Sequence, residues 1–275
     1  MQCFVRRLKG CMRNNGIAAK GFTLIELIAV IVILAVLASM GVTFVVKTTE
    51  SYQSTQARAV LVNTSRQALE RMTRQLRIAL PYSVRILNSG QCIQFMPIVA
   101  GGNYLNPVPD ASNGAPGATQ IAVAPYTSVA TYGAARHVAI GALNRDEIYI
   151  SPYVSRANYN NASTNTLVQL GAAKIWQRNS FNKRFYLLAD PQAFCLVGAD
   201  LHFYSDIPIT SASVSVGTGA SIIARNVAVV DSVTAPFSLE MGSENRNTRI
   251  NIALKFSSGG ESINFTQGVL IRNVP

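Results

Sequence analysis

The chain has 275 residues, with 24 Lys and Arg against 13 Asp and Glu, and a formal net charge of +11. Only 13% of its side chains are charged and 49% are apolar, which excludes a disordered charged tail. The length allows one sizeable domain plus an appendage. Four cysteines are too few for a disulfide scaffold. The positive mean hydropathy of +0.23 indicates that one segment raises the average.

Residues 22–46 form a continuous apolar run in which Glu26 is the only ionisable side chain. As a helix this run is about 37 Å long at about 1.5 Å per residue, whereas the hydrocarbon core of a bilayer is about 30 Å thick. The run is therefore predicted to span a membrane with some tilt. A buried helix of a soluble core is the alternative, which we disfavour because uncharged runs of this length are rare there.

The segment that precedes this run is basic and contains no acid. Its charges are Arg6, Arg7, Lys9, Arg13 and Lys20. Because positive residues remain on the cytoplasmic side of a membrane, the N-terminus is predicted to lie inside and residues 47–275 outside. A cleaved secretory signal is the alternative, but its apolar region is typically about 7 to 15 residues long. Residues 38–40 offer only a weak cleavage site.

Glu26 is the residue in the apolar run that needs an explanation. A carboxylate within a membrane span costs on the order of 3 kcal/mol, so it is expected to have a partner and a function. The alternative is that its side chain reaches the headgroups from the first turn of the helix. Residues 20–26 read KGFTLIE and are followed by the apolar run, a pattern that closely resembles the type IV prepilin motif.

This resemblance implies the fate of the N-terminal segment. In the family, a membrane peptidase cleaves after the glycine, here Gly21, removes the leader 1–21 and methylates the new N-terminal residue, here Phe22. The acid at the fifth mature position, here Glu26, takes part in assembly. A free amine on Phe22 of one subunit can neutralise Glu26 of its neighbour, which would favour the correct register because each charge alone is costly in an apolar filament core.

The resemblance also implies partners and a location. The expected partners are the prepilin peptidase and methyltransferase, other minor and major pilins, the inner-membrane assembly platform and membrane lipid. The expected location is the bacterial inner membrane, crossed once with the head in the periplasm, and then the pilus at the cell surface. No cofactor, metal or enzymatic activity is expected. Residues 79–86 and 268–275 further resemble the larger minor pilins and the J-type minor pseudopilins of type II secretion.

The leader is longer than the short basic peptides common in the family, and Met12 offers a second start site. Translation from Met12 would leave a ten-residue leader, which also removes Cys3 and Cys11. If Met1 is the true start, the substitution Met12→Leu should leave expression intact. That result would reject the hypothesis that translation starts at Met12.

Residues 47–80 contain neither Gly nor Pro, and Pro81 follows them, so the helix is predicted to continue to about Leu80 in an arm that covers residues 47–81. Apolar residues recur in the arm at three- and four-residue spacings and predict a stripe packed against the head. The stripe contains Leu61, Ala68, Leu69, Met72, Leu76, Ala79 and Leu80. The arm is also basic, with Glu70 placed to pair with Arg66 and Arg74.

The head, residues 82–275, changes to short runs rich in Tyr, Phe, Ile and Val, which predict an antiparallel sheet and an α+β fold for the chain. These runs include residues 147–154 and 249–256, and residues 257–260 read as a hairpin turn. Residues 100–119 are rich in Pro and Gly and are predicted to form a long surface loop.

Cys92 and Cys195 are the only cysteines beyond the leader, and both lie in predicted strands. In an oxidising compartment such a pair is predicted to form a disulfide. Closing a loop of about 100 residues would stabilise the fold by up to about 4.7 kcal/mol. Two free buried thiols are the alternative.

The head contains no recognised catalytic motif, and neither His137 nor His202 has the spacing of a metal ligand. Asp200 and Asp206 flank a predicted strand, where solvated acids are favoured over a calcium site. Nucleic acid is disfavoured as a partner because the head lacks a dense basic cluster with interleaved aromatics. An adhesin or DNA-binding minor pilin and an anchored periplasmic enzyme are the alternatives, the enzyme being the less favoured.

Overall fold

The computed structural model describes residues 21–217, 219–240 and 248–271, and of Ala130 the backbone alone. Helix α1 spans Leu24–Arg77 and the one-turn helix α2 spans Asp146–Tyr149. The strands are β1 Arg85–Leu87, β2 Cys92–Phe95, β3 Ile98–Asn103, β4 Ala118–Ala122, β5 His137–Ala139, β6 Arg156–Asn160, β7 Leu167–Lys174, β8 Arg184–Leu188, β9 Gln192–Val197, β10 Asp200–Tyr204, β11 Ser221–Arg225, β12 Val227–Val229, β13 Phe237–Glu240, β14 Thr248–Ser258 and β15 Glu261–Ile271. Short 3-10 helices cover Pro81–Ser83, Asn88–Gly90 and Ala130–Tyr132.

The chain divides into two compact units, Met1–Gln53 and Ser54–Pro275, with the boundary inside α1. In the first unit every described residue is exposed. Within the described part of the chain, α1 is the one helix long and apolar enough to cross a membrane. The part of α1 that belongs to the first unit therefore has no buried residue within that unit.

The second unit contains three antiparallel sheets. Sheet I has the order β1-β2-β9-β10-β11. In sheet II, β14 pairs with β15 along one edge and with β12 and β13 along the other. Sheet III has the order β3-β8-β5-β6-β7-β4. A long helix followed by antiparallel sheets confirms the predicted α+β fold.

Most of the apolar stripe packs in one buried cluster with sheets I and II. All seven predicted stripe residues are at most 4% exposed. Six of them, all but Leu80, share a cluster with Phe95 and Phe194 of sheet I and Ile252 and Phe256 of sheet II. Leu80 lies in a separate cluster with Met96 and Leu188. Burial of apolar surface at roughly 25 cal/mol per Å² makes this helix-on-sheet contact a main source of stability for the second unit.

Helix α1 ends at Arg77, three residues before the predicted end. Leu80 precedes Pro81 and has extended backbone angles of φ −63° and ψ 125°, because a following proline disfavours the helical region. The Leu80 N–H donates to the Met96 carbonyl at 3.0 Å, and the Ile98 N–H donates to the Ile78 carbonyl at 2.9 Å. Strand-like pairing with the chain after β2 therefore replaces the last helical turn.

The predicted strand over residues 147–154 is wrong, because residues 146–149 form α2 instead. The Asn144 side chain accepts hydrogen bonds from the N–H groups of Asp146 and Glu147 at 3.0 and 3.1 Å. This side-chain cap satisfies the first amides of the turn. Pro152 has no N–H to offer to a strand ladder, which disfavours an extended continuation.

The predicted surface loop over residues 100–119 is correct only in its middle. Strand β3 continues to Asn103 and β4 begins at Ala118. Between them Tyr104, Val108 and Asp110 are buried. Hydrogen bonds from the Ser112 hydroxyl and the Asn179 amide hold the pKa of the Asp110 carboxyl well below its usual range. The hydrogen bond to Asn179 connects this segment to the residues that precede β8. Composition alone does not reveal this contact.

The hairpin predicted at residues 257–260 joins β14 to β15. Gly259 and Gly260 have φ values of +58° and +82°, a conformation that favours glycine. A Cβ at Gly259 would lie 3.1 Å from the Cβ of Ala57. The turn is therefore confirmed, and it lies close against the helix within the second unit.

Candidate functional site

The predicted cleavage point lies just before α1 in accessible chain. Gly21 and Phe22 are both outside the helix and exposed, Phe22 to 78%. A Cβ built on Gly21 would meet no atom within 4 Å. The peptide bond between the two residues is therefore open to an enzyme that approaches the start of the helix. The rest of the predicted leader, residues 1–20, lies outside the described residues.

Thr23 caps the start of α1, a role that the sequence reading missed. Its Oγ1 accepts a hydrogen bond from the Glu26 N–H at 3.3 Å, and its carbonyl accepts from the Glu26 and Leu27 N–H groups at 3.1 and 3.2 Å. A threonine followed three residues later by a glutamate is the sequence pattern of a capping box. That spacing is the sequence signal by which the cap could have been predicted. With Thr23 as the cap, the helix begins at Leu24, shortly after the predicted cleavage point.

The Glu26 carboxylate lies in the first turn of α1 and is exposed. A negative charge there is favoured by the partial positive charge of the helix N-terminus. Among the residues that the structure describes, no basic side chain forms an ion pair with it. An unpaired carboxylate is costly in apolar surroundings.

The helix around this acid presents an apolar surface. From Phe22 to Val46 the large apolar side chains are 43–78% exposed. The two hydroxyl groups in this stretch of helix bond to carbonyls of the preceding turn: Ser39 Oγ to Val36 at 2.8 Å and Thr43 Oγ1 to Ser39 at 2.9 Å. Polar groups satisfied within the helix suit a lipid or protein environment without water.

In the second unit, two of the predicted arm arginines are engaged. Arg58 forms a 2.8 Å ion pair with Glu261 of β15. Because both side chains are partly exposed, this pair contributes little to stability. The Arg71 guanidinium lies 5.3 Å from the centroid of the Phe203 ring. Both arginines therefore contact side chains of the head sheets, which leaves their charges less available to a neighbouring subunit.

The remaining arginines of α1 are exposed and lack partners. Arg66, Arg74 and Arg77 form no ion pair with any described residue. The predicted pairs of Glu70 with Arg66 and Arg74 are therefore not formed, because exposed i,i+4 pairs gain only about 0.2–0.5 kcal/mol. These three arginines leave a basic helix face that can contact acidic surfaces.

The structure contains the predicted disulfide between Cys92 and Cys195. The two residues lie directly opposite each other in the antiparallel pair of β2 and β9, with their Cα atoms 4.1 Å apart. Both are buried in a cluster with Ala193 and Tyr204. The bond closes a loop across a sequence separation of 103 residues, which ties the start of the head to the middle of sheet I.

The acids and histidines named from the sequence lie at separate places in the described chain. Within residues 21–217, 219–240 and 248–271, no group of three or more His, Cys, Asp or Glu side chains is placed to hold a metal ion. Asp200 begins β10 and Asp206 follows its end, with a positive φ of 53°. Among the described residues, no third His, Cys, Asp or Glu side chain is therefore placed to hold a metal ion together with these two acids.

His137 belongs to a buried polar network in sheet III. Its Nδ1 accepts from the Arg156 guanidinium at 2.9 Å, so its Nε2 carries the proton and donates to Asp190 Oδ1 at 2.9 Å. Burial, together with the nearby Arg156 charge, lowers the pKa of His137 below its ordinary value of about 6.5 despite the opposing effect of Asp190. The imidazole is held neutral between a cation and an anion.

This network predicts acid sensitivity of the head. In the unfolded chain His137 gains a proton as the pH falls through about 6.5, whereas in the folded chain it gains the proton only at lower pH. The contribution of His137 to stability is therefore fully present above about pH 6.5 and declines below it. We expect the urea midpoint, followed by fluorescence of the single tryptophan, Trp176, to be lower at pH 5.5 than at pH 7.5. His137→Gln should reduce this difference and His202→Gln should retain it; an equal difference in both variants would contradict the assignment.

Residues 18–42 match the family described as the prokaryotic N-terminal methylation motif. The match covers Gly21, Phe22, Thr23 and Glu26 and supports a type IV pilin-like protein. The motif implies processing by a prepilin peptidase, assembly with other pilins and membrane anchoring by the apolar helix, and it indicates a structural subunit rather than an enzyme. No curated protein and no solved structure matches the chain.

Proposed function

We propose that this chain is a minor pilin-like subunit of a type IV pilus, cleaved after Gly21 and methylated at Phe22. The observation that carries the proposal is the start of α1, where the Thr23 cap places Glu26 at the end of an exposed apolar helix and no described residue forms an ion pair with its carboxylate. A filament core of packed apolar helices would cover that surface, and a free amine would neutralise the acid.

The proposed assembly contact joins the amine of Phe22 in one subunit to the Glu26 carboxylate of its neighbour. Cleavage creates the amine at the residue that precedes the helix cap. In an apolar core the two charges are costly apart and tolerated together. The pairing would thus discriminate the correct axial register from displaced ones and delay stable assembly until the leader has been removed.

The proposed organisation follows from this contact. Residues 1–21 are the cleaved leader, 22–46 span the membrane and later the filament core, 47–81 form the periplasmic arm, and 82–275 are the head. The N-terminus lies in the cytoplasm and the head in the periplasm until the subunit enters the pilus. The arm presents Arg66, Arg74 and Arg77 to acidic surfaces of neighbouring pilins.

Within the family, we propose a role in initiating or capping a pilus of the MSHA type, where the resemblance is to the O-type minor pilin. Removal of the 21-residue leader from 275 residues leaves a chain of 254, larger than a typical major pilin. A large head suits a subunit at the end of a filament, where neighbours do not restrict it on every side. A minor pseudopilin of type II secretion is the alternative, because the N-terminal chemistry is the same.

A deletion and complementation experiment tests this function. Loss of the gene should remove or strongly reduce surface pili, and the wild-type chain should restore them. Gly21→Leu should abolish both cleavage and complementation, whereas Gly41→Leu, at another exposed glycine of the same segment, should still be cleaved. Normal pili together with a defect in protein secretion would support the pseudopilin alternative, and no defect in either would reject the proposal.

A further inference from the structure

A cleft in the head lies where the chain after α1 meets sheet III. Its walls come from residues 80–82, from residues 139–143 after β5 and from residues 178–186 around the start of β8, and its volume is about 240 Å³. We call it the Ser180 cleft. It lies wholly within the second unit.

The Ser180 cleft is apolar and partly aromatic. Leu80 and Ile140 contribute buried aliphatic surface, while Tyr82 and Tyr186 add partly buried rings. Phe181, at the tip of one wall, is 94% exposed. Because the fold buries almost none of this side chain, Phe181 is available to close over an apolar ligand.

One polar group in the cleft wall lacks a partner. Ser180 is 8% exposed, and its Oγ is buried without a hydrogen bond to any described residue. Its backbone is occupied: the N–H donates to the Tyr104 hydroxyl at 2.8 Å, and the carbonyl accepts from that hydroxyl at 3.3 Å. This hydroxyl oxygen has almost no surface open to the cleft, so a ligand there does not reach it, and Ser180 contributes to the wall through its other atoms.

The two arginines of the cleft differ in what they can bind. Arg178 is neutralised by Glu147, to which it donates from NH1 at 2.8 Å and from NH2 at 3.0 Å. Burial alone would raise the pKa of Glu147, but hydrogen bonds from Arg178 and Ser155 outweigh burial and lower it. The Arg184 side chain is half-buried and forms no ion pair or hydrogen bond with any residue the structure describes, while its backbone belongs to β8. Arg184 is therefore the cation available to an anionic ligand.

We propose that the Ser180 cleft binds a small aromatic carboxylate. The ring would lie against the apolar wall, and the carboxylate would pair with Arg184. The cleft volume of about 240 Å³ exceeds the roughly 150 Å³ that holds a benzene ring in an engineered protein cavity, and it lies below the roughly 300 Å³ lower limit of drug-sized pockets. One substituted ring is the size that fits.

The test is a calorimetric titration of the full chain in detergent with 3-phenylpropionate, corrected with detergent alone. Saturable binding is expected, and the neutral isostere 3-phenylpropanamide should bind at least about tenfold more weakly because it lacks the charge. Arg184→Gln should weaken binding of the acid by a similar factor. Arg66→Gln removes an exposed charge outside the cleft and should leave binding unchanged.

The comparison of acid and amide uses the wild-type chain, so it remains decisive if Arg184→Gln fails to fold, which Trp176 fluorescence would reveal. Absence of saturable binding up to about 10 mM, or equal affinity for acid and amide, would overturn the proposal. Binding of a peptide that ends in phenylalanine without binding of the free acid would also overturn it, in favour of a chain terminus as the occupant.

Discussion

Replacement of Glu26 by leucine is expected to exclude the subunit from filaments while leaving it in the membrane. The leucine preserves the apolar helix but removes the carboxylate that would neutralise the amine of a neighbouring Phe22. An unpaired charge in an apolar core costs on the order of 3 kcal/mol, so we expect the filament-associated fraction to fall at least about tenfold. Quantitative mass spectrometry of sheared pili and of the membranes left behind measures both fractions.

Two controls define what the Glu26→Leu result means. Glu50→Gln removes an exposed carboxylate from the same helix outside the apolar run, and it should leave the filament fraction unchanged. Cleavage after Gly21 should persist in both variants, which separates a loss of assembly from a loss of processing. Glu26→Leu chains present in pili at the wild-type level would reject the proposed pairing of amine and carboxylate.

Removal of the disulfide between Cys92 and Cys195 is expected to have the largest effect on stability. The bond restricts the unfolded chain by closing a loop with a sequence separation of 103 residues. Replacing both cysteines by alanine should lower the free energy of unfolding by about 2 to 5 kcal/mol. Alanine is the appropriate substitute because a serine hydroxyl would be buried in this cluster without an assured partner. Urea unfolding followed by circular dichroism measures the change.

A reducing agent provides the matched control for this variant. It should lower the urea midpoint of the wild-type chain toward that of the double alanine variant, and it should have no effect on the variant itself. A double variant that unfolds at the same urea concentration as the oxidised wild type would show that the disulfide contributes nothing to stability.

The parts of the fold that follow from local pattern were predictable from the sequence. The absence of Gly and Pro over residues 47–80 predicts the helical arm, and its three- and four-residue periodicity identifies all seven buried stripe residues. The alternating runs on either side of residues 257–260 predict the β14–β15 hairpin. Each of these signals is contained in a short stretch of chain and needs no distant contact.

The parts that depend on distant side chains were not predictable. Residues 147–154 have the composition of a strand, but the Asn144 cap favours a helical turn, and the distant Arg178 pairs with Glu147 of that turn. Strand β6 reads RANYN, which carries little strand propensity, and it forms because β5 and β7 pair with it. Such pairings are set by the assembled sheet rather than by the segment.

The candidate sites also differ in whether a short stretch of sequence predicts them. The specific order of residues 20–26 predicts a cleavage point and singles out the acid, because the pattern is confined to one short motif. The Ser180 cleft gives no such signal, since its walls come from three separated segments that only the folded chain brings together.

The central claim is that this chain is a processed pilin-like subunit, and the N-terminus of the native protein tests it most directly. Mass spectrometry of intact protein and N-terminal peptides should be compared between membranes with and without the prepilin peptidase. We predict a chain that begins at N-methylated Phe22 only when the peptidase is present. A chain that retains Lys20 and Gly21 in both membranes, or one cut near Met40, would contradict the account.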